Sequence, residues 1–354
     1  MQWDLYCRVV DNFGDVGVAW RLAADLAARG ESVRLAIDDA SALGWMAPAG
    51  AAGVEVVGWH DGPSPAPDVV VELFGAGRPP TAWPAGVSAP TFINVEHLSA
   101  ESYVERSHAL PSPAARPGEP PSTTWFFFPG FSEATGGLLR EPGLLERRRH
   151  FGLGDDWLAS IGVAGRDDER RVSLFCYAND AVGDLLEALA GAPTLLLLTP
   201  GAAAEQVIAA LGTSLRRGAL RAMRLPLLAQ ADFDRLLWSC QLNFVRGEDS
   251  FVRAFWAGAP FVWQLYVQDD GAHAAKLDAF LTRFLVGAPP AVATALRAVF
   301  GRWNGIGPSG SLAAPLSDPV LRAAWLAHCA RWRETLAAQD DLVTRLLRFV
   351  QAKR

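Results

Sequence analysis

Two short segments of this sequence place charged side chains beside glycine at spacings that suit chemistry. The first, residues 10–17, sets Asp11 and Asp15 among glycines directly after an apolar run. Carboxylates in such a loop can hold a cationic acceptor or act as a general base. The second, residues 246–250, reads Arg-Gly-Glu-Asp-Ser and also follows an apolar run. Because backbone N–H groups at the start of a helix attract phosphate, this second segment is typical of an anion site.

The second segment should form a strand, a turn and a helix. An apolar strand is predicted over residues 242–245, and we expect Asp249 or Ser250 to cap the helix after the turn. The helix should stop at residues 258–260, Gly-Ala-Pro, because glycine and proline end helices. The alternative is a charged cluster that only caps the helix and pairs with itself.

The first segment differs from a dinucleotide-binding loop. Gly14 and Gly17 do not form the GxGxxG pattern, and Asp11 and Asp15 would repel a pyrophosphate lying beside them. The loop therefore disfavours hydride transfer with a nicotinamide cofactor. The alternative to a catalytic role is that both aspartates only cap the following helix and form turns.

Strand-like and helical runs alternate in both halves of the chain, as in parallel α/β sheets. Strands are predicted over residues 5–10, 33–37, 54–58, 69–74, 91–95, 172–177, 194–199, 220–225, 242–245 and 261–265. Helices are predicted around residues 18–29, 181–190, 202–211, 232–240, 251–257 and 318–353. The prolines between Leu110 and Ser122 predict a loop or a flexible flap. Ligands in open α/β sheets bind beyond the carboxyl ends of strands, which directs attention to the first loop.

The length of 354 residues suits two domains, and half of the residues are hydrophobic, so two cores can be filled. A charged stretch broken by glycine and proline, residues 140–171, suits a crossing between the domains. We divide the chain into a first domain over residues 1–155 and a second domain over residues 156–335. A final helix over residues 336–354 is expected to cross back to the first domain.

Charge and cysteine usage narrow the class of protein. The net charge of −6, from 32 basic and 38 acidic residues, argues against a general nucleic-acid binder but leaves room for a basic partner. The four cysteines lie far apart without the spacing of a zinc site, which favours a reduced, cytoplasmic protein. The N-terminus lacks the pattern of a signal peptide and no run of 18 apolar residues occurs, so we expect neither secretion nor membrane spanning.

The two charged segments together resemble the motifs of the EarP family, bacterial protein-arginine rhamnosyltransferases that act on translation elongation factor P. The resemblance, which extends over nearly the whole chain, is carried by residues 11–17, 94–104, 175–177, 228–230, 246–258 and 263–270. It implies an inverting GT-B glycosyltransferase, whose two Rossmann-like domains face a central cleft. The first domain would bind the acceptor and the second the nucleotide sugar.

The resemblance also implies the substrates. The donor would be dTDP-β-L-rhamnose, and the acceptor would be an arginine side chain of elongation factor P, the factor that rescues ribosomes stalled at polyproline. No cofactor and no metal are implied, and no Asp-x-Asp metal pair stands out in the sequence. The alternatives are a nucleotide-sugar epimerase, another small-acceptor glycosyltransferase on the same scaffold, and a non-catalytic nucleotide-binding module.

Individual roles follow from the same resemblance. The residues expected to bind the nucleotide sugar are Phe13, Gly14, Phe175, Tyr177, Gln230, Phe233, Arg246, Gly247, Glu248, Asp249, Ser250 and Tyr266. The residues expected to be catalytic are Asp15, Asp11 and Glu248. Asp15 is the first choice for the base and Asp11 for holding the cation, but their order could be reversed. Glu96 is a further candidate for the acceptor side.

Two alternatives stay open for these residues. Phe175, Tyr177 and Phe233 could belong to the core, as aromatic residues usually do. Glu248 could bind the ribose and order the turn, or it could only pair with Arg246.

The implied reaction needs two complementary surfaces. Displacement of a β-linked diphosphate gives an α-linked product, through a transition state with positive charge on the sugar and negative charge on the leaving group. The helix start at Asp249 and Ser250, with the Tyr266 hydroxyl, can stabilise the diphosphate without a metal. A guanidinium has a pKa above about 12, so a carboxylate would orient it and take its proton as the new bond forms.

Overall fold

The computed structural model describes residues 1–10, 13–64, 66–79, 89–115, 121–267, 271–306 and 312–353. Its contacts divide the chain into two compact units. The first unit is Met1–Pro142 with Leu336–Arg354, and the second is Gly143–Thr335. The first unit thus ends at Pro142 rather than at residue 155. The reason is that two short helices, Leu144–His150 and Asp155–Ser160, pack on helices of the second unit.

Parallel strands followed by helices build both units, as predicted. The strands are β1 (Gln2–Cys7), β2 (Ser32–Ile37), β3 (Val54–Gly58), β4 (Val69–Leu73), β5 (Thr91–Val95), β6 (Pro111–Ala114), β7 (Ser122–Phe127), β8 (Arg170–Leu174), β9 (Thr194–Leu198), β10 (Arg216–Arg217), β11 (Leu220–Arg224), β12 (Leu242–Arg246) and β13 (Phe261–Gln264). The α-helices are α1 (Gly14–Ala28), α2 (Leu43–Met46), α3 (Ser102–Ser107), α4 (Leu144–His150), α5 (Asp155–Ser160), α6 (Val182–Ala190), α7 (Ala202–Leu211), α8 (Gln230–Ser239), α9 (Asp249–Ala257), α10 (Ala272–Phe284), α11 (Pro290–Trp303), α12 (Ala313–Ser317), α13 (Pro319–Ala337) and α14 (Leu342–Lys353).

The first unit contains a sheet in the order β3-β2-β1-β4-β5-β7-β6. All neighbouring strands are parallel except β6, which runs antiparallel to β7. Every residue of β4 is buried, as expected for a parallel strand whose two faces are both covered. Helix α1 lays Val16, Ala19, Leu22 and Leu26 into the same core, at the spacing of one helical face.

The loop predicted over residues 110–122 is wrong in part. Pro111–Ala114 forms strand β6 at the edge of the sheet, paired with β7. An edge strand bonds on one side only, so it tolerates proline, which lacks a backbone N–H donor. Residues 116–120, within the same predicted loop, lie outside the described part of the chain.

The C-terminal helix packs back on the first unit, which confirms that prediction. Helix α14 contributes Leu342, Val343, Leu346 and Val350 to the core beneath α1. The segment before it is held by Arg29, at the end of α1, whose Nη2 lies 2.6 Å from Asp341 Oδ1. Burial of one apolar helix face and this ion pair therefore join the end of the chain to its beginning.

The second unit contains a sheet in the order β10-β11-β9-β8-β12-β13, parallel except for the short strand β10. Its five parallel strands repeat the order of the first five strands of the first unit. In each sheet the first strand lies centrally, beside the fourth, so the order reverses between β1 and β4 and between β8 and β12. Open α/β sheets bind ligands at this reversal, outside the carboxyl ends of the strands.

Among the described residues, none of the helices is both long enough and apolar enough to cross a bilayer.

Candidate active site

At the carboxyl end of β12 the chain makes a tight turn, which side-chain hydrogen bonds and a glycine hold in shape. The Ser250 hydroxyl accepts a hydrogen bond from the Arg246 N–H at 3.1 Å and donates to the Arg246 carbonyl. Gly247 has a φ of 63°, in the left-handed region that favours glycine. Trp263 Nε1 donates to the Gly247 carbonyl at 2.8 Å. We call residues 246–250 the elbow; its backbone is held where strand becomes helix.

The prediction that Asp249 or Ser250 caps the following helix is wrong. Helix α9 begins at Asp249, its cap position is Glu248, and no side chain makes a capping hydrogen bond there. The Ser250 hydroxyl is used by the strand end, four residues back, and Asp249 accepts a hydrogen bond from Gln230 Nε2 at 3.3 Å. The predicted end is confirmed, since α9 ends at Ala257 and Gly258 follows in the left-handed region. The first N–H groups of α9 are therefore not capped by a side chain.

The side chain of Arg246 lies against two aromatic rings. Its guanidinium carbon is 4.5 Å from the centre of the Phe175 ring and 4.4 Å from that of Tyr177. Further rings extend the row: Phe233 lies edge-on to Phe175 at 5.4 Å, and Tyr266 lies edge-on to Tyr177 at 5.6 Å. Guanidinium faces stack on rings while their N–H edges stay available, so this row can hold Arg246 ready for an anion.

The burial of the aromatic residues bears on the alternative that they belong to the core. Phe175, Tyr177 and Phe233 are half-buried, Phe233 also packs against a hydrophobic core cluster of the second unit, and Tyr266 is 59% exposed. The aromatic row is therefore a partly open surface at the strand ends.

Several residues that support this surface were not predicted. Gln264 is buried, accepts a hydrogen bond from the Tyr177 N–H at 2.9 Å and donates to the Ala178 carbonyl at 3.3 Å. The Asn304 side chain binds the backbone at the end of β13: it donates to the Trp263 carbonyl and accepts from the Leu265 N–H, both at 2.8 Å. Gln264 lies inside a motif that carries the family resemblance, but Asn304 had no sequence signal.

A buried ion pair joins the two helices beside the elbow. Arg253 on α9 donates to both oxygens of Asp234 on α8, at 2.8 and 2.7 Å, and both residues are at most 5% exposed. Phe251, on the same helix, stacks on Trp263 with ring centres 3.7 Å apart. Helix α9 is therefore fixed by a two-point polar contact and a ring contact.

In the first unit, Asp15 lies in the first turn of α1, at the point where the strand order reverses. It is only 7% exposed, and its Oδ2 accepts a hydrogen bond from the Val10 N–H at 2.8 Å. Asp38, after β2, makes a similar contact with the Val9 N–H at 2.9 Å. Asp15 thus closes the loop, which agrees with the turn-forming alternative and leaves a base role as a prediction. Asp11 lies outside the described residues.

The remaining residues predicted in this loop have structural contacts. Phe13 precedes α1 and packs edge-on against Trp45 at 5.0 Å, and Gly14 is the first residue of the helix.

Burial and the charge of Asp15 raise the pKa of the Cys7 thiol, and burial raises that of Cys176 to about 12. Neither thiol has the thiolate character of a nucleophile.

A second polar group lies at the same edge of the first sheet, at the end of β5. Asn94 donates to Glu96 Oε1 at 2.7 Å and accepts from the Gly75 N–H at 3.0 Å, and burial raises the pKa of Glu96. Nearby, Phe74 has a φ of 59° and stacks on His97 at 4.3 Å. This polar edge of β4 and β5 is where the sequence suggested an acceptor side.

The structure brings most of the predicted nucleotide-sugar residues together in the second unit, through the contacts of Arg246, Gln230 and Ser250. Phe13, Gly14 and Asp15 lie in the first unit. Among the described residues, no group of three or more His, Cys, Asp or Glu side chains is arranged as a metal site.

Comparison with known proteins gives one consistent family. A family model described as elongation factor P rhamnosyltransferase EarP matches residues 3–351. A Pseudomonas aeruginosa protein-arginine rhamnosyltransferase is 42% identical over 374 aligned positions, covering 98% of each chain. A Shewanella oneidensis protein-arginine rhamnosyltransferase is 32% identical and covers 99% of this chain and 97% of its own.

Solved structures agree with the sequence comparisons. A structure described as the basis for EarP-mediated arginine glycosylation of translation elongation factor EF-P matches with a TM-score of 0.71 and 32% identity, covering 100% of this chain and 99% of that one. The glycosyltransferase VinC, solved in complex with dTDP, matches with a TM-score of 0.54 at 14% identity, covering 99% of each chain. The second match shows a shared fold only.

Proposed function

This chain belongs to the EarP family of protein-arginine rhamnosyltransferases, and on that premise we propose that it transfers L-rhamnose from dTDP-β-L-rhamnose to an arginine of elongation factor P. The family match and the GT-B-type fold make it a glycosyltransferase. The donor, the acceptor protein and inversion to an α-linkage are the finer part of the proposal. The observation that supports a diphosphate donor is the stacked Arg246 beside the uncapped start of α9, while the acceptor and the inversion rest on the family match.

The donor diphosphate suits the elbow. The first N–H groups of the nine-residue helix α9 carry the positive end of the helix dipole, and no side chain caps them. Arg246 adds a full positive charge whose N–H edges match phosphate oxygens. These groups would bind the diphosphate in the ground state and bind it more strongly as negative charge grows on it during transfer.

The nucleoside would lie along the aromatic row. Phe175 and Phe233 offer ring surface for a planar base, and Gln230 is held beside Asp249 by a 3.3 Å hydrogen bond. Glu248, at the cap position of α9 beside Arg246, would accept hydrogen bonds from the ribose hydroxyls. Tyr266, which is largely exposed, would reach the diphosphate with its hydroxyl.

The acceptor chemistry is assigned to the loop before α1. One guanidinium nitrogen would attack the anomeric carbon from the face opposite the diphosphate, forming a carbon–nitrogen bond as the carbon–oxygen bond breaks. dTDP would leave with the bonding electron pair, and the nitrogen would lose one proton. Asp15 would orient the guanidinium and take that proton, with Asp11 holding the cation.

The test is a transfer assay with the purified chain, dTDP-β-L-rhamnose and unmodified elongation factor P. We expect the acceptor to gain the mass of one deoxyhexose, on an arginine. Isomerised dTDP-sugar with no mass gain on the acceptor would favour an epimerase. Nucleotide binding without either product would favour a non-catalytic module.

A further inference from the structure

The second unit contains a cavity of about 670 Å³ at the sheet edge opposite the elbow. Its wall includes Arg170, the first residue of β8, and Leu242, the first residue of β12. Because β12 ends at Arg246, the length of this strand separates the cavity from the elbow, about 13 Å at roughly 3.3 Å per residue. No predicted donor or catalytic residue lines this cavity.

Arginines supply all the charge among the described residues of the cavity wall, which include no aspartate or glutamate. The four are Arg148, Arg170, Arg322 and Arg333. All four are half-buried, and none of them forms an ion pair with a described residue. We call this space the arginine cavity; it concentrates positive charge in a protein whose net charge is −6.

The arginines form two like-charged pairs. Burial, and then the neighbouring Arg333, lowers the pKa of Arg148; burial, and then the neighbouring Arg322, lowers the pKa of Arg170 to about 10. Withdrawing like charges from water together costs free energy. An anion placed between the members of each pair would offset that cost.

Backbone carbonyls accept hydrogen bonds from one of these arginine pairs. Arg170 donates to the Leu316 carbonyl at 2.6 Å, and Arg322 donates to the carbonyls of Leu316 and Ser317 at 3.0 and 2.7 Å. These carbonyls end helix α12, so this pair also stabilises a helix end. Each guanidinium carries five N–H donors, so several donors of this pair remain for a ligand.

The second pair is less engaged. Arg148 Nε donates to the Ala257 carbonyl at 3.3 Å, whereas Arg333 donates to no described residue. Arg333 lies against Gly258, where an added Cβ would collide with its guanidinium. Gly258 therefore serves both the end of α9 and the placement of Arg333.

Apart from Ser239 and Gln241, the rest of the wall is apolar, with Trp238, Leu242 and Pro260 among its residues. Leu153 and Leu326 line the same cavity and are 71% and 49% exposed, unusual for large apolar side chains. The volume lies within the range of small-molecule pockets, roughly 300–1,000 Å³. An occupant with an apolar body and anionic ends matches both parts of the wall.

We propose that the arginine cavity binds an organic phosphate, with its phosphate groups held by the two arginine pairs and its body against the apolar wall. Guanidinium forks match phosphate oxygens in two-point contacts, which favours phosphate over a single diffuse charge. The site is separate from the donor elbow, so its occupancy does not require the proposed transfer reaction.

The test uses inorganic tripolyphosphate as the probe, titrated calorimetrically into the full chain carrying Arg246→Gln, so that the elbow contributes no guanidinium. We expect binding that Arg333→Gln and Arg148→Gln each weaken at least tenfold. The matched control is Arg331→Gln, an exposed arginine on the same helix outside the cavity wall, which should change the affinity less than twofold.

A second measurement uses the wild-type chain, so it does not depend on whether the variants fold. In the wild-type chain, tripolyphosphate should slow hydrogen exchange in residues 238–242 and 313–317, which border the cavity. The proposal is overturned by absence of binding at millimolar probe, or by equal weakening in Arg331→Gln. It is also overturned if a poly-glutamate peptide binds more tightly than tripolyphosphate and loses binding with Arg333→Gln, because the occupant is then an acidic polypeptide.

Discussion

The guanidinium carbon of Arg246 lies 4.4 Å from the centre of the Tyr177 ring, joining the end of β12 to the loop after β8. Arg246→Lys keeps the charge but loses the planar fork and its stacking. We expect KM for the dTDP-sugar to rise at least tenfold, about 1.4 kcal/mol of binding, with a smaller change in kcat. Steady-state kinetics with varied donor measures this.

Arg224→Lys is the matched control, because Arg224 forms an exposed pair with Glu205 in the same unit. An exposed pair contributes little, so its kinetics should equal those of the wild type. If Arg246→Lys also behaves like the wild type, Arg246 does not bind the donor.

The Asp15 carboxylate both closes a loop and is proposed as the base, and a single substitution separates the two roles. Asp15→Asn retains an oxygen that can accept from the Val10 N–H, but it cannot take up a proton from a guanidinium. Transfer should fall by at least two orders of magnitude, consistent with loss of a general base. The melting temperature should fall by no more than a few degrees.

Asp38→Asn makes the same change at the neighbouring carboxylate, whose Oδ1 accepts from the Val9 N–H. Its transfer rate should stay within threefold of the wild type. Equal losses in both variants would mean that loop closure, rather than proton transfer, is what Asp15 supplies.

The buried pair of Arg253 and Asp234 gives a stability prediction. Arg253→Met leaves the Asp234 carboxylate buried without its cation, which should lower the free energy of unfolding by about 3–5 kcal/mol. The Arg253→Met/Asp234→Leu double variant should recover a large part of this loss. Urea unfolding of the three proteins checks it; a double variant less stable than Arg253→Met would contradict this account.

His108 gives a pH prediction. Its Nδ1 accepts a hydrogen bond from the Phe128 N–H at 3.1 Å, and burial, followed by the charge of Arg345, lowers its pKa from 6.5 to about 4. The unfolded chain therefore binds the proton first as pH falls. Stability that is complete above pH 6.5 should decline toward pH 4, by roughly 1–3 kcal/mol.

His108→Asn tests this assignment, because the asparagine oxygen can accept from Phe128 and does not titrate. The difference in unfolding free energy between wild type and variant should shift in favour of the variant between pH 7 and pH 4. A difference independent of pH would show that His108 is not the titrating group.

Local signals explain what the sequence predicted well. Strand β4, which starts at Val69, is apolar except for Glu72 and is bounded by turn residues, and α9 ends at Ala257, directly before Gly258 and Pro260, so both features follow from short-range preferences. The binding role of the aromatic residues around Arg246 was predicted from the family resemblance, because aromatic residues in a sequence do not by themselves indicate a ligand site.

What the sequence missed depends on contacts distant along the chain. Pro111–Ala114 becomes a strand because it lies at a sheet edge, which no local rule reveals. Serine is a common helix cap, yet the Ser250 hydroxyl forms its hydrogen bond with the backbone of Arg246 instead. The support from Asn304 spans 41 residues to Trp263 and depends on packing between separate elements.

The most direct test of the central claim is an NMR spectrum of elongation factor P after incubation with this chain and dTDP-β-L-rhamnose. The predicted result is one rhamnose, α-linked to an arginine nitrogen, with dTDP released in equal amount. A β-linkage, attachment to another kind of residue, or an unmodified acceptor would contradict it.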